Sequence, residues 1–133
     1  TNTSLMGKFS SKKRSVYAGA KHALHGFIDA LRAEVYQHNI KVNIVAPGYV
    51  NTEVGIKALV EDGASYGKND RGHDSKGMKV EKAAKIIINA IRKNKREILV
   101  IPTFSILMVA SLLSRFLPGI GAIVARNFDE DKQ

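Results

Sequence analysis

The chain has 133 residues, a net charge of +9, 44% apolar residues and no cysteine. That length allows one domain with a buried core, or a large part of one, and the missing cysteines exclude disulfides, thiolate metal sites and thiol nucleophiles. The positive charge gathers at Lys12-Lys13-Arg14 and Arg92-Lys93-Asn94-Lys95-Arg96, with no interleaved aromatics and no nucleic-acid recognition motif, so it reads as a solvated basic rim or a surface facing anionic lipid, with no nucleic acid as partner.

In chain order, Thr1–Ser4 looks like the tail of a strand, and Leu5–Lys13 like a loop of Gly, Ser and Lys. The chain starts at Thr1 without an initiator methionine or signal peptide, and is therefore expected to be the later part of a larger domain. From Arg14 to about His38 the spacing predicts a helix whose apolar stripe is Ala20, Leu24, Phe27, Leu31 and Val35, with Asn39 as its stop. Ile40–Ala46 has the β-branched content of a buried strand, ended by Pro47-Gly48. Helix followed by buried strand is half of a β-α-β unit, which implies α/β class: a doubly wound parallel sheet.

Asn51–Gly77 holds Gly55, Gly63, Gly67, Gly72 and Gly77 among mixed charges and reads as a long excursion, with a short helix over Glu53–Glu61. Its place directly after a strand's carboxyl end makes it a substrate lid. Val80–Lys93 is a second amphipathic helix with Ala84, Ile87, Ile88 and Ile91 on one face, and Glu97–Ile101 a further strand stopped by Pro102. Thr103–Asn127 is strongly apolar, but the uncharged run Ile98–Ser114 covers 17 residues and includes a proline, where a spanning helix needs about 20. Two short apolar helices around Pro118-Gly119 are expected, lying on a membrane surface, closing over a lipophilic substrate, or forming an ordinary core or dimer contact. Gly119-Ile120-Gly121 follows a helix rather than a strand and is no nucleotide fingerprint.

The chemistry centres on Tyr17 and Lys21, four apart and so stacked on one face of the first helix. An ammonium beside a phenol favours the phenolate, which brings a tyrosine toward the range where it serves as general acid and base. Ser4, thirteen residues earlier and close to Gly7, supplies a second hydroxyl for the same substrate oxygen. His22 and His25 sit one turn apart, yet no carboxylate pair stands at ligand spacing, so they read as surface histidines and no metal is expected.

The order Asn2-Thr3-Ser4, Tyr17-Ala18-Gly19-Ala20-Lys21, helix, and Val42–Thr52 with its Pro47-Gly48 resembles the second half of a short-chain dehydrogenase/reductase. The resemblance implies a Rossmann-like fold of which the carboxyl-terminal half is present, with 1–102 as the catalytic half, 51–79 as the substrate loop and 103–133 as an apolar segment and polar tail. It implies that Tyr17 transfers the hydroxyl proton, that Lys21 holds the nicotinamide ribose, that Ser4 polarises the carbonyl, and that Pro47, Gly48, Val50 and Thr52 border the nicotinamide. The run Asp62-Gly63-Ala64-Ser65-Tyr66-Gly67, then a helix, a basic turn and an apolar tail, is similar to membrane-associated members. Such members act on lipophilic alcohols and ketones and often prefer NADP over NAD. This implies a homodimer joined through the first helix and a place at the endoplasmic reticulum membrane, or otherwise in the cytoplasm. Two family features are absent, the glycine-rich dinucleotide turn and the asparagine upstream of the serine, so the segment alone is expected to bind cofactor poorly and to be inactive. The alternative is a non-catalytic, membrane-associated scaffold that keeps the fold.

Overall fold

The computed structural model describes residues 1–54, 56–59, 62–65, 67, 77–101, 117 and 119. Within these, strands β1 (Ile44–Pro47) and β2 (Glu97–Val100) pair in parallel, with Ile44 opposite Glu97 and Pro47 opposite Val100. The amino-terminal residues extend the ladder on the other edge of β1. Asn2 bridges Val45 in parallel, the Thr3 amide donating to the Val45 carbonyl at 2.7 Å and the Val45 amide to the Thr1 carbonyl at 2.8 Å. β1 begins at Ile44, not at Ile40 as the composition predicts. Ile40 is exposed just after Asn39, which takes a left-handed φ of 54°, and Asn43 donates its side-chain amide to the Lys95 carbonyl at 2.6 Å. The β-branched run therefore starts as a connector and becomes a strand only where both faces are covered.

Helix α1 spans Ser15–Glu34 and continues into a 3-10 turn, Tyr36–His38, with Asn39 as its left-handed stop. Helix α2 spans Val80–Arg92. Asn94, at φ 49°, ends it in a Schellman arrangement: its amide donates to Ile91 at 2.8 Å and the Lys95 amide to Ala90 at 2.9 Å. That tight turn feeds the chain directly into β2.

The two faces of the sheet are covered by different elements, as in a doubly wound fold. Val45, Ile98 and Val100 pack with Met78 and Ala83, against Ile86, Ile87 and Ala90 of α2. The alternate positions, Leu99 and Ile101, pack with Leu5 and Phe9 from the segment after the first strand pass. The 3-10 turn Leu5–Gly7 is in turn seated against α1, where Gly7 lies against the Lys21 carbonyl. The expected stripes face inward only in part: Leu24 and Leu31 of α1, Val35 just past its end and Ile87 of α2 are half-buried, while Ala20, Phe27, Ala84, Ile88 and Ile91 are exposed. α1 buries Ala18 and Ile28 and leaves Phe27 65% exposed. α2 buries Ala83 and leaves Ile88 and Ile91 each 49% exposed. Small and large residues share the inner faces, Ala18 with Ile28 on α1 and Ala83 with Ile86 and Ile87 on α2, while Phe27, Ile88 and Ile91 lie on the outer side.

A charged cluster ties α1 to the amino ends of both strands. Asp29 accepts from Arg32 on its own helix and from Arg96 at 2.9 Å, while Arg32 donates to the Val42 carbonyl at 3.0 Å and the Arg96 carbonyl at 3.3 Å. At the opposite end of the sheet, the excursion after β1 leaves and returns through a paired neck. Val50 bridges Met78, the Asn51 amide donating to Met78 and the Met78 amide to Tyr49, both at 2.9 Å. Beyond the neck the expected Glu53–Glu61 helix is not seen among the described residues: Glu53, Val54, Ile56 and Lys57 form turns, the Lys57 amide donating to the Glu53 carbonyl at 3.0 Å, and Leu59 bridges Ser65 in antiparallel fashion. The expected pair of apolar helices in 103–127 lies outside the described residues, apart from Leu117 and Gly119. No helix among the described residues is long and apolar enough to cross a membrane.

Candidate active site

The carboxyl ends of the strands open into a cavity of about 830 Å³. Every residue singled out from the sequence lines it: Ser4, Tyr17, Lys21, Pro47, Gly48, Val50 and Thr52. Three different elements bring them there. The first strand pass ends at Ser4, whose extended backbone caps the 3-10 turn and whose Oγ accepts from the Met6 amide at 3.1 Å. Because this is an accepted bond, the Ser4 hydroxyl proton remains to be donated elsewhere. The first turns of α1 present Tyr17 and Lys21, with the Lys21 Nζ 5.5 Å from the centroid of the Tyr17 ring. That is within cation–π range. Tyr17 itself is 45% exposed, so its phenol is reachable from the cavity and from solvent.

β1 ends at Pro47, and the Gly48 amide donates to the Val100 carbonyl at 3.0 Å. A Cβ on Gly48 would stand 3.0 Å from Ile101 and 3.1 Å from Leu5, so a larger residue here presses on the protein's own core side chains. Val50 sits at the neck of the excursion, where the pairing with Met78 uses the Tyr49 carbonyl and the Asn51 amide. Thr52 follows, its Oγ1 accepting from the Val54 amide at 3.4 Å. Val54 and Ala58 of the excursion and Val80, Ala84 and Ile87 of α2 close the apolar side. The result is a hydroxyl-and-ammonium wall facing an aliphatic one, suited to a molecule with one polar reacting group on an apolar body.

Two residues escape the sequence reading. Arg14, counted there only as part of a basic cluster, lines the cavity three residues before Tyr17; helical spacing was the available signal. His25, read as a surface histidine, has a side chain only 12% exposed. Its Nε2 lies 3.0 Å from Thr3 Oγ1. Burial and the Lys8 ammonium hold its pKa below the ordinary histidine value, outweighing Glu97 and Asp29. Sequence carries no sign of this, because the partners are Thr3 and Gly7 from a different pass of the chain.

A parallel α/β sheet with a hydroxyl, a phenol and an ammonium at its carboxyl edge defines a class: a Rossmann-like protein with its ligand site at the strand ends. Residues 1–62 match the family model described as short chain dehydrogenase. The chain is 41% identical over 100 residues, 75% of its length, to a "Dehydrogenase/reductase SDR family protein 7-like" of Anopheles gambiae, of which it covers 31%. It is 37% identical over 97 residues, 73% of its length, to "Dehydrogenase/reductase SDR family member 7B" of Mus musculus, covering 30% of that protein. With the Rattus norvegicus protein of the same name it shares 34% identity over 98% of its own length and 40% of the relative's. The chain belongs to the short-chain dehydrogenase/reductase family, and it spans well under half the length of these relatives.

Proposed function

We propose that the complete enzyme is an oxidoreductase that interconverts a carbonyl and a secondary alcohol with a nicotinamide cofactor, NADP in preference to NAD. The observation that supports this most is the convergence of Ser4, Tyr17 and Lys21 on one cavity at the carboxyl edge of a parallel sheet. The residues present fit the nicotinamide end of the cofactor. An ammonium and the Thr52 hydroxyl offer donors to ribose and carboxamide, and the turn after Pro47 is bordered by apolar side chains suited to a flat ring. When bound, the cofactor supplies or accepts the hydride. Ser4 donates its hydroxyl proton to the substrate oxygen and holds it in place. Tyr17 gives its phenol proton to that oxygen as the alcohol forms and takes it back in the reverse direction. Lys21, against the Tyr17 ring, stabilises the negative charge left on the phenol oxygen and would hold the ribose of a bound cofactor.

The aliphatic wall formed by Val54, Ala58, Val80 and Ile87 supports a lipophilic substrate. A second copy of the chain is proposed to cover the outer stripe of α1, where Val16 is 86% and Phe27 65% exposed. A non-catalytic scaffold would need no proton donors converging on a cavity, and the geometry gives that alternative no support. The test uses the full-length enzyme: Tyr17→Phe should abolish most turnover of a lipophilic ketone while NADPH still binds with parental affinity. Parental rates in that variant would overturn the reading.

A further inference from the structure

His25 touches the serine-bearing strand on both sides of Ser4. Before the serine, Thr3 is 3% exposed and its Oγ1 makes two contacts, with the Val45 carbonyl at 3.0 Å and with His25 Nε2 at 3.0 Å. A threonine hydroxyl has one proton. Both contacts are satisfied together only when Thr3 donates to Val45 and accepts from a protonated Nε2. After the serine, Gly7 lies so close to the ring that a Cβ there would stand 2.5 Å from His25 Cδ2 and 2.9 Å from the Lys21 carbonyl. His25 follows Lys21 by one helical turn on the same face of α1. One imidazole thus spans the distance between the strand that carries Ser4 and the helix that carries Tyr17 and Lys21.

We propose that His25 is a positioning residue: by donating Nε2–H to Thr3 and by bearing on Gly7, it sets the separation between the Ser4 hydroxyl and the Tyr17–Lys21 pair. This rests on the functional reading above, in which those hydroxyls share one substrate oxygen. Ser4 itself is tied to the 3-10 turn, its Oγ accepting from the Met6 amide at 3.1 Å and its carbonyl from the Gly7 amide at 2.9 Å. The Thr3–His25 bond carries a side-chain link from the serine-bearing strand across to the catalytic helix. A misplacement of about 1 Å between catalytic groups can cost roughly a hundredfold in rate, so removing the link acts on the chemical step more than on cofactor binding.

The experiment uses the full-length enzyme with NADPH and a series of straight-chain 2-ketones as reporter substrates. His25→Leu and Thr3→Val should each lower kcat by roughly ten- to a hundredfold, with the Kd for NADPH within about twofold of the parent. His25→Gln, whose amide also donates at the end of a side chain of similar reach, should restore kcat to within about threefold. The double variant should be no slower than the worse single one, because both remove the same bond. A Gln variant as slow as Leu, or multiplying effects in the double variant, would overturn the proposal. Nitrogen-15 NMR of His25 gives an answer independent of turnover: the Nε2–H tautomer is required, and an Nδ1–H tautomer refutes the bond. It also stands if His25→Leu does not fold. Failure of the parent enzyme on every ketone, with the Nε2–H tautomer present, would count against the oxidoreductase reading and not against the link.

Discussion

Arg96, at the threshold of β2, donates to Asp29 in the middle of α1 at 2.9 Å, although 67 residues separate them. The same carboxylate is held by Arg32, one turn along its helix. Burial opposes the charge on Asp29, but the two guanidiniums outweigh it and hold the carboxyl below the ordinary aspartate value. Asp29→Ala releases α1 from the amino ends of the strands. With the carboxylate 41% exposed, the loss expected is about 1 kcal/mol, read as a lower urea midpoint in the full-length enzyme, with the activity of the folded protein unchanged.

The pH dependence of stability follows from the signs of two shifts. His25 binds its proton less readily folded than unfolded, where its pKa is 6.5. Stability is complete above that value and falls as pH drops toward the lower folded pKa, because the unfolded chain then holds the extra proton. Asp29 adds a second loss below its unfolded value of 3.8, as protonation releases Arg96 and Arg32. Urea midpoints at pH 7.5 and 5.5 should differ in the parent, and the difference should shrink in His25→Gln.

Gly7→Ala places a methyl 2.9 Å from the Lys21 backbone carbonyl and closer still to the His25 ring. The ring can rotate but the carbonyl cannot leave its helix, so the 3-10 turn must move away from α1. The expected cost is about 1–3 kcal/mol, with a loss of turnover that follows the displacement of Ser4. Thermal melting together with kcat measures both.

Ser4→Ala and Lys21→Met should fail in different ways. Removing the serine hydroxyl takes away a donor to the developing charge, and kcat should fall roughly a hundredfold while the Kd for NADPH stays near the parent. Replacing Lys21 removes the cation against Tyr17 and, on the proposed reading, a donor to the cofactor ribose, so kcat should fall and NADPH should bind more weakly. Stopped-flow turnover and fluorescence titration separate the two patterns.

Phe27→Asp puts a charge in the outer stripe of α1 while leaving the inward residues Ala18, His25 and Ile28 untouched. If a second copy covers that stripe, sedimentation velocity should show the full-length dimer converted to monomer. An unchanged sedimentation coefficient would place the dimer contact elsewhere or remove it.

The local pattern of the amino acids was sufficient for much of this protein. β-branched runs stopped by Pro47-Gly48 and by Pro102 marked the strands, Asn39 marked the end of α1, and the four-residue step from Tyr17 to Lys21 put both on one face, because these features depend only on backbone preference and helical period. What tertiary structure decided was which face turns inward. Phe27 on α1 and Ile88 and Ile91 on α2 point outward, while Ala18, Ile28 and Ala83 are buried and Ile86 and Ile87 pack beside Ala83. Periodicity shows that a helix has an apolar side but not which neighbour covers it, since that depends on how closely two backbones can approach. His25 is the sharpest case. One imidazole among four in the chain became a largely covered link only because Thr3 and Gly7, from another pass of the backbone, arrive on either side of Ser4.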